Sequence, residues 1–364
     1  MAELVKIAVI GAGLIGPRHA QTVSNDPNAV LAAIVDPMQA GAELPSKLKV
    51  PYYRTIAQLL ESADKPDGAI ICTPNHTHVA VGLQLARGGV NILVEKPIST
   101  DIKSGQELVR TAEELGVKVL VGHHRRFNSY MRAAKWALDA GKIGDPIAIN
   151  GIWATYKPID YFDPPAEWRR TKTGGVILIN LIHEVDLLHY LLGPITKVYA
   201  EPIPHRRGFD ADEGAAITFR FKSGAVGSFL LSDNVPSPHN FEAGTGENPL
   251  IPRAGKDFYR LFGSEGTLSV PDMSITSYRD SSAKSWLAPM TSEVVDLDVK
   301  TPFELQLAHF VRVIKGQEEA SCSGADGLAA LVICNAVVQS VETGEPITIE
   351  YPLSGSDDMM DSRH

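Results

Sequence analysis

The chain has 364 residues, of which 44% are hydrophobic and 21% charged, and its formal net charge is −9 at pH 7. This length favours two domains, and the composition is that of an ordinary globular protein. The acidic balance argues against a nucleic-acid-binding surface, which needs a basic face. No uninterrupted apolar run approaches the ~20 residues that cross a bilayer, so we expect no membrane span.

The N-terminus and the cysteines both predict a cytoplasmic protein. The first predicted strand begins too close to Met1 to leave room for a signal peptide. The odd count of three cysteines, Cys72, Cys322 and Cys334, lacks metal-ligand spacing, and each lies in an apolar context. They are therefore expected to be buried, reduced thiols.

The most informative motif follows an apolar run at residues 5–10. The run ends in Gly11-Ala12-Gly13-Leu14-Ile15-Gly16, which predicts a buried strand, a tight turn and the start of a helix. In a G-x-G-x-x-G turn the first glycine allows the turn, the second lets a pyrophosphate approach the backbone, and the third lets helix and strand pack closely. The N–H groups at the helix N-terminus attract phosphate. This pattern favours a dinucleotide site over a glycine-rich turn that binds no nucleotide.

A carboxylate in the expected place supports the dinucleotide site and suggests which cofactor binds. A second apolar run, at residues 29–35, ends in Asp36, about 20 residues beyond Gly16, where such sites have an acceptor for the ribose hydroxyls. The same carboxylate would repel a 2′-phosphate, and Pro37 follows where an NADP site can have an arginine. We therefore expect NAD rather than NADP.

Up to His123 the predicted strands and helices alternate. Strands are expected at 69–72, 90–94 and 117–121, and helices at 76–87 and 101–115. This alternation predicts a parallel, doubly wound sheet, which binds ligands beyond the carboxyl ends of its strands. The polar residues expected at that edge are Asp36, Thr73, Asn75, Glu95, Lys96, His123 and His124.

After His123 the pattern changes to successive strands. The expected strands are 146–153, 195–200, 214–221, 225–232, 258–262, 267–270 and 347–351; the expected helices are 129–140, 175–192, 303–314 and 327–341, with a long loop at 236–255. We predict an α/β protein with an N-terminal Rossmann domain (1–123), a C-terminal α+β domain with a largely antiparallel open sheet (124–351), and a flexible tail (352–364). The free face of that sheet predicts a homodimer or homotetramer.

Three motifs together resemble the Gfo/Idh/MocA family, the group of glucose–fructose oxidoreductase and inositol dehydrogenase. They are the glycine motif, Glu95-Lys96-Pro97, and Gly174-Gly175 leading to His183-Glu184-Val185-Asp186. Two further segments, 73–78 and Trp168-Arg169, also resemble the family, and the resemblance spans nearly the whole chain. It implies a cytoplasmic NAD(P)-dependent dehydrogenase that acts on CH–OH groups, with a cofactor site at Gly11, Gly13, Leu14, Ile15, Gly16, Asp36, Thr73, Pro74, Asn75, His78, Glu95, Lys96, Trp168 and Arg169.

Lys96 is the first candidate catalytic residue. It follows a predicted strand and precedes Pro97, and a residue before proline is held extended. Its ammonium group can hydrogen-bond a reacting oxygen and stabilise developing negative charge, or share in proton transfer. The alternative is a solvated lysine paired with Glu95.

His183 is the second candidate, on the predicted helix 175–192. Asn180, His183 and Asp186 recur every three residues and predict one polar stripe, and Asn180 is predicted as a third catalytic residue beside Lys96 and His183. The imidazole can accept a proton from a substrate hydroxyl near neutral pH, or it can be a helix histidine bonded to Asp186 or Asn180. Family members often carry an aspartate four residues before this histidine, where this chain has Ile179, so the resemblance leaves the strength of the base open.

The remaining polar residues divide into substrate contacts and a rejected metal site. Expected substrate contacts, besides Lys96, Asn180 and His183, are His124, Arg126, Tyr156 and Tyr161. Aromatic faces suit the C–H surface of a sugar, although these tyrosines could equally be core or interface residues. His76, His78, His123 and His124 do not predict a metal site, because His76 and His78 would point to different sides and Arg125-Arg126 would repel a cation.

The expected function is reversible hydride transfer between a nicotinamide cofactor and a secondary alcohol of a sugar, cyclitol or related polyol, in a cleft between the two domains. Two alternatives stay open. One is a dinucleotide-binding regulator of the galactose-repressor type, which Ile179 leaves open although Lys96 and His183 argue for the enzyme, and the other is an NAD-dependent glycosidase. The exact substrate, the oxidised carbon, the direction and the oligomer size do not follow from the sequence.

Overall fold

The structure is a computed structural model that describes residues 3–353, so the predicted flexible tail lies, from Ser354 onward, outside the described residues. The strands are β1 (Val5–Ile10), β2 (Ala29–Val35), β3 (Tyr52–Tyr53), β4 (Gly68–Ile71), β5 (Asn91–Val94), β6 (Val119–Val121), β7 (Pro146–Ala154), β8 (Ile195–Pro202), β9 (Gly214–Phe221), β10 (Val226–Ser232), β11 (Tyr259–Gly263), β12 (Gly266–Val270), β13 (Ser274–Tyr278), β14 (Met290–Val294) and β15 (Ile347–Thr348). The α-helices are α1 (Gly16–Asn25), α2 (Glu43–Leu48), α3 (Ile56–Glu61), α4 (His78–Arg87), α5 (Ile102–Glu114), α6 (Ser129–Asp139), α7 (Ile182–Leu192), α8 (Phe241–Thr245), α9 (Pro302–Ile314) and α10 (Gly324–Thr343).

The first compact unit contains a six-stranded parallel sheet of order β3-β2-β1-β4-β5-β6. The predicted doubly wound sheet is confirmed. All of its strands except the short β3 are apolar runs that are largely buried on both faces, as parallel strands covered by helices are. The strand order reverses between β1 and β4, which is where such folds bind nucleotides. The residues after β1, β4 and β5 therefore lie at one edge of the sheet.

Residues 300–331 belong to this first unit, although the sequence analysis assigned them to the second domain. The reason is burial of apolar side chains: Leu307, Phe310 and Val311 of α9 pack in the core cluster that includes Ile7 and Ile70. Phe310 and Ile314 also lie so close to Gly68 that a Cβ there would meet them at 3.0 and 2.6 Å. The predicted boundary near residue 123 stays a prediction.

The second unit contains a nine-stranded sheet of order β14-β13-β12-β11-β7-β10-β9-β8-β15. Neighbouring strands are antiparallel, except that β7 and β10 pair in parallel. The prediction of a largely antiparallel sheet is confirmed. Along β9 the residues Ile217, Phe219 and Phe221 are buried, whereas Thr218 and Arg220 are exposed. This alternation means that one face of the sheet is packed and the other is open.

Three local predictions for the second unit were incomplete. The loop at 236–255 contains the short helix α8, whose N-cap Asn240 accepts a hydrogen bond from Ala243 N–H. The strands β13 and β14 were not predicted, because β14 is an edge strand exposed along its whole length and β13 has only one buried residue, Ile275. The predicted helix 175–192 begins as a π-helical turn, Ile177–Leu181, and becomes α-helical only from Ile182.

Two segments are long and apolar enough to cross a membrane by length and composition, Lys172–Leu192 and Gly324–Thr343. The sequence analysis did not single them out, because polar residues interrupt both. Shares of 78% and 67% of their most apolar windows are buried inside the protein. This burial is typical of core helices in soluble proteins.

Candidate cofactor-binding and catalytic residues

The three motif glycines each meet a different steric condition. Gly11 has φ +100°, and a Cβ there would lie 2.9 Å from the backbone of Cys72. A Cβ on Gly16 would lie 2.0 Å from the Gly11 carbonyl oxygen. A Cβ on Gly13, in contrast, would meet no protein atom within 4 Å. Gly11 and Gly16 are thus required by the protein's own packing, whereas Gly13 leaves open space beside the turn for a ligand.

Asp36 lies at the carboxyl end of β2 and contacts this turn. Its Oδ2 accepts a hydrogen bond from Ala12 N–H at 2.7 Å, and its Oδ1 accepts one from Met38 N–H at 2.8 Å. Each carboxylate oxygen has a further lone pair that can accept from a ribose hydroxyl. Asp36 therefore stabilises the glycine turn and can still accept hydrogen bonds from ribose hydroxyls, as the sequence analysis predicted.

After β4, Thr73 and Pro74 lead into a 3₁₀ turn, Asn75–Thr77, and His78 begins α4. His78 is fully buried, and its two ring nitrogens lie 2.8 Å from the carbonyl oxygens of Pro97 and Thr73. It thus joins the segments that follow β4 and β5. Because it has no exposed surface, we reassign His78 from direct cofactor contact to holding these two segments together.

Glu95 and Lys96 follow β5. Glu95 Oε1 lies 2.8 Å from His19 Nε2, and its Oε2 accepts a hydrogen bond from Lys96 N–H at 3.3 Å. Burial raises the pKa of Glu95, but the hydrogen bond from His19 and the nearby charges of His19, His124 and Lys96 outweigh it, so the pKa lies below its usual value. Glu95 is therefore ionised near neutral pH, next to the backbone of Lys96.

His124 and Arg126 were both predicted to contact substrate, but the structure places their side chains in different surroundings. His124 is half-buried, and its ring stacks on Phe303 with centroids 4.6 Å apart. Arg126 is 5% exposed and donates a hydrogen bond to the Ser321 carbonyl oxygen, with Asp326 at 3.8 Å. These partners favour a structural role for Arg126, so it is left out of the proposed substrate site.

In the second unit, the segment between β7 and the π-helical turn carries four of the predicted residues. Tyr156 and Trp168 are 58% and 49% exposed, and Tyr161 is partly buried. The Arg169 guanidinium lies 3.9 Å from the centroid of the Tyr161 ring, and its Nη1 donates to the Tyr161 carbonyl oxygen at 2.9 Å. Arg169 Nε is buried and has no hydrogen-bond partner among the described residues. An unsatisfied buried donor is consistent with a bound ligand.

The π-helical turn before α7 is held by Asp212, a residue that the sequence analysis missed. Asp212 Oδ1 accepts a hydrogen bond from Ile177 N–H at 2.9 Å, and a Cβ on Gly175 would lie 1.7 Å from its Oδ2. The glycine therefore makes room for the carboxylate. Burial raises the pKa of Asp212 to about 6, assisted by Asp233 and opposed by the bond from Ile177.

Asn180 lies in the π-helical turn and His183 in the first turn of α7. His183 is 7% exposed, and Asp186 is 1% exposed. The predicted polar stripe is therefore not solvent-exposed, because α7 is buried on nearly every side. A π-helical turn also breaks the three-residue spacing on which the stripe depended. The half-buried Asn180 amide bonds instead to Lys157, whose Nζ donates to its Oδ1 at 2.7 Å.

Lys157 and Asp233 are further residues that the sequence analysis missed. Lys157 Nζ lies 3.2 Å from Asp233 Oδ2. They follow β7 and β10, whose parallel register pairs Ala154 with Ser232 and so brings the two strand ends together. A prediction that β7 and β10 pair in parallel would have placed Lys157 next to Asp233. The sequence analysis predicted only a largely antiparallel sheet, and so it missed this contact.

The described residues 3–353 contain no group of three or more His, Cys, Asp or Glu side chains that could hold a metal ion. The pyrophosphate of a dinucleotide fits the open space at Gly13, and its ribose fits the acceptors on Asp36. Lys96 lies in the first unit, and Asn180 and His183 lie in the second.

Comparison with known proteins agrees with this geometry. Residues 5–123 match the family described as "Oxidoreductase family, NAD-binding Rossmann fold", and residues 135–349 match its "C-terminal alpha/beta domain". The chain is 27% identical to inositol 2-dehydrogenase of Rhizobium meliloti, over 95% of this chain and 99% of that protein. It is 28% identical to scyllo-inositol 2-dehydrogenase (NAD(+)) of Bacillus subtilis, over 96% and 98%.

A solved oxidoreductase from Agrobacterium radiobacter, in complex with NAD+, L-tartaric acid and magnesium, shares the fold. The TM-score is 0.79 at 18% identity, with 94% of this chain and 98% of that chain covered. The family match and the inositol dehydrogenase relatives together define an NAD-dependent dehydrogenase acting on CH–OH groups. The chain belongs to the Gfo/Idh/MocA oxidoreductase family.

The two glycines Gly13 and Gly16 should respond differently to a methyl group. Gly13→Ala should keep the thermal midpoint but weaken NADH binding roughly tenfold, about 1.4 kcal/mol, because the methyl occupies the ligand's space. Gly16→Ala should lower the free energy of unfolding by roughly 1–3 kcal/mol, because the methyl overlaps the Gly11 carbonyl. NADH fluorescence titration and thermal melts would measure both. Equal loss of stability in the two variants would contradict the assignment of Gly13 to ligand space.

Asp212 should make stability depend on pH. Its native pKa of about 6 exceeds the ordinary 3.8, so its ionisation destabilises the fold as pH rises from 3.8 through 6. Asp212→Asn keeps an acceptor for Ile177 N–H and cannot ionise. Relative to the unsubstituted protein, it should therefore gain about 1 kcal/mol of unfolding free energy between pH 5 and pH 7.5. Urea melts at both pH values would measure this, with the exposed Asp210→Asn as control. A difference that does not change with pH would contradict the prediction.

Proposed function

We propose that the protein transfers a hydride between NAD and a secondary hydroxyl of a cyclitol, sugar or related polyol. The observation that carries the proposal is the position of Lys96: it follows β5, at the same sheet edge as the glycine turn after β1, with the Glu95 carboxylate bonded to its backbone N–H. Relatives named for inositol oxidation, similar over nearly the whole chain, support this substrate class.

Each of the proposed site residues has a separate role in hydride transfer. NAD, when bound, accepts or returns the hydride. The Lys96 ammonium hydrogen-bonds the substrate oxygen and stabilises negative charge that develops on it. His183 accepts the hydroxyl proton, and the low exposure of its ring limits competition from water. Tyr156, Tyr161 and Asn180 contact the remaining hydroxyls, and Trp168 and Arg169 contact the cofactor.

The two alternative functions are not favoured. A non-catalytic regulator would have no need of a lysine held at the sheet edge by the Glu95 carboxylate, and a glycosidase would act without net reduction of NAD. The isoleucine at position 179 leaves no acid at the family's usual place, so His183 works without that partner.

We further assign the protein to the cytoplasm and to a homodimer or homotetramer formed through the sheet of the second unit. The three cysteines are buried and form no disulfide, as expected in a reducing compartment. The open sheet face exposes Val226 and Leu230, which are 44% and 43% exposed. An apolar patch of this kind is typical of an interface. Light scattering that gave the mass of a monomer would contradict the assembly.

A substrate panel tests the proposed reaction. We expect NADH formation, followed by absorbance, with at least one of the inositols or hexoses, and with NAD preferred to NADP because Asp36 repels a 2′-phosphate. Simple aliphatic alcohols and 2-hydroxy acids serve as controls. If these controls exceeded every sugar and cyclitol in kcat/KM, the substrate class would be wrong. Release of sugar from a glycoside without net NADH would instead favour the glycosidase.

Lys96→Ala and His183→Ala should each lower kcat by at least about 100-fold, because each removes a group that acts on the reacting oxygen. Both should keep a native thermal transition and near-normal NADH binding. Lys103→Ala and His205→Ala, which remove exposed side chains of the same type, are the matched controls. Near-normal kcat in either active-site variant would show that its residue has no part in turnover.

A further inference from the structure

The proposed reaction does not use Lys157, although this residue is deeply buried. Only 11% of its side chain is exposed, and the Asp233 side chain beside it is 3% exposed. Burial lowers the pKa of Lys157, and the charge of Asp233 opposes that shift. A buried ion pair is weak evidence for stability, because the cost of removing two charges from water can exceed their attraction. The burial of Lys157 is therefore better explained by a role at the substrate site than by a contribution to stability.

The contact between Lys157 and Asn180 determines which way the Asn180 amide points. An ammonium group can only donate, so the atom 2.7 Å from Nζ must be the amide oxygen of Asn180. The Asn180 amide nitrogen then points away from Lys157. Within the described part of the chain no acceptor bonds to that nitrogen, and Asn180 is only half-buried. Two N–H donors are thus available three residues before His183.

Lys157 is itself held in place from several sides. Its Nζ lies 3.2 Å from Asp233 Oδ2, and 4.9 and 5.5 Å from the ring centroids of Tyr161 and Trp153. Its backbone N–H donates to the Asp233 carbonyl oxygen at 2.9 Å. These contacts restrict the ammonium to one position, as a group that orients another must be restricted.

Asp233 has a second cationic partner. Arg207 Nη1 lies 2.7 Å from Asp233 Oδ1, and the same guanidinium lies 4.0 Å from Glu213 Oε2. Removing the Lys157 charge would therefore leave Asp233 paired. A variant without the ammonium should fold, which allows the role of Lys157 to be tested directly.

We propose that Lys157 is a positioning residue for substrate recognition. It fixes the Asn180 amide so that both amide N–H groups face the substrate, and the group that they meet is a hydrogen-bond acceptor, a hydroxyl or carboxylate oxygen of the polyol. An ammonium substituent at that place would set donor against donor and is excluded. This inference rests on the proposed function, because it assigns Asn180 a substrate contact.

A double-mutant cycle tests it. Lys157→Met removes the donor at similar side-chain length, and Asn180→Ala removes the amide. Each should raise KM for the best polyol about tenfold, with kcat changed less than about threefold, since each removes one hydrogen-bond contribution to substrate binding and tenfold corresponds to about 1.4 kcal/mol. Because both act through one amide, the double variant should also lose about tenfold and not about 100-fold. Lys157→Gln keeps an N–H donor and should recover part of the loss.

Controls separate positioning from a structural role. Lys142→Met, at a half-exposed lysine paired with Glu293, should leave KM unchanged, and NADH binding should be normal in every variant. Additive losses, a fall confined to kcat, weakened NADH binding or unfolding of Lys157→Met at 25 °C would each overturn the proposal.

A second measurement keeps this test distinct from that of the proposed function. Stabilisation of the protein–NADH complex by myo-inositol, or by whichever polyol stabilises it most, reports binding without turnover. If polyols bind but are never oxidised, the proposed reaction fails while the cycle is still readable in the thermal shifts. If no polyol stabilises the protein, the substrate contact of Asn180 is overturned as well.

Discussion

The close approach of two backbones at the start of α1 is the constraint on which the first unit depends. Gly16 lies against the Gly11 carbonyl with no room for a Cβ, and Gly11 itself turns with positive φ against the backbone of Cys72. This contact brings the N-terminus of α1 to the carboxyl end of β1, beside the end of β4. The open space at Gly13 exists because its two neighbouring glycines let helix and strand meet this closely.

Polar side chains then hold the segments that leave the same sheet edge. Asp36 bonds to the glycine turn, His78 joins the carbonyl groups of Thr73 and Pro97, and Glu95 joins His19 to the backbone of Lys96. Each of these groups bonds to backbone atoms of a segment that follows a strand. Some residues that a motif search assigns to ligand contact therefore position the protein segments around the ligand. His78 is the clearest case, because both of its ring nitrogens bond to backbone carbonyl groups.

The second unit contains a group of charged side chains that are largely buried. The network of Lys157, Asp233, Arg207 and Glu213 alternates in sign, so each charge has an opposite neighbour. Asp212, next to it, bonds the first N–H of the π-helical turn. Such turns are common at functional sites because they displace a side chain from the regular helical position. Here the turn carries Asn180 and leads directly into His183.

The sequence by itself determined the class of the first fold and most of its functional edge. Glycine spacing, buried apolar strands and the positions of Asp36 and Lys96 at strand ends are local properties, and local properties can be read in order along the chain. Only the tertiary structure decided which distant segments meet. The return of α9 to the first core, the burial of His78 and Arg126, and the pairing of Lys157 with Asp233 and Asn180 depend on long-range packing and on the parallel pairing of β7 with β10, which no spacing along the sequence encodes.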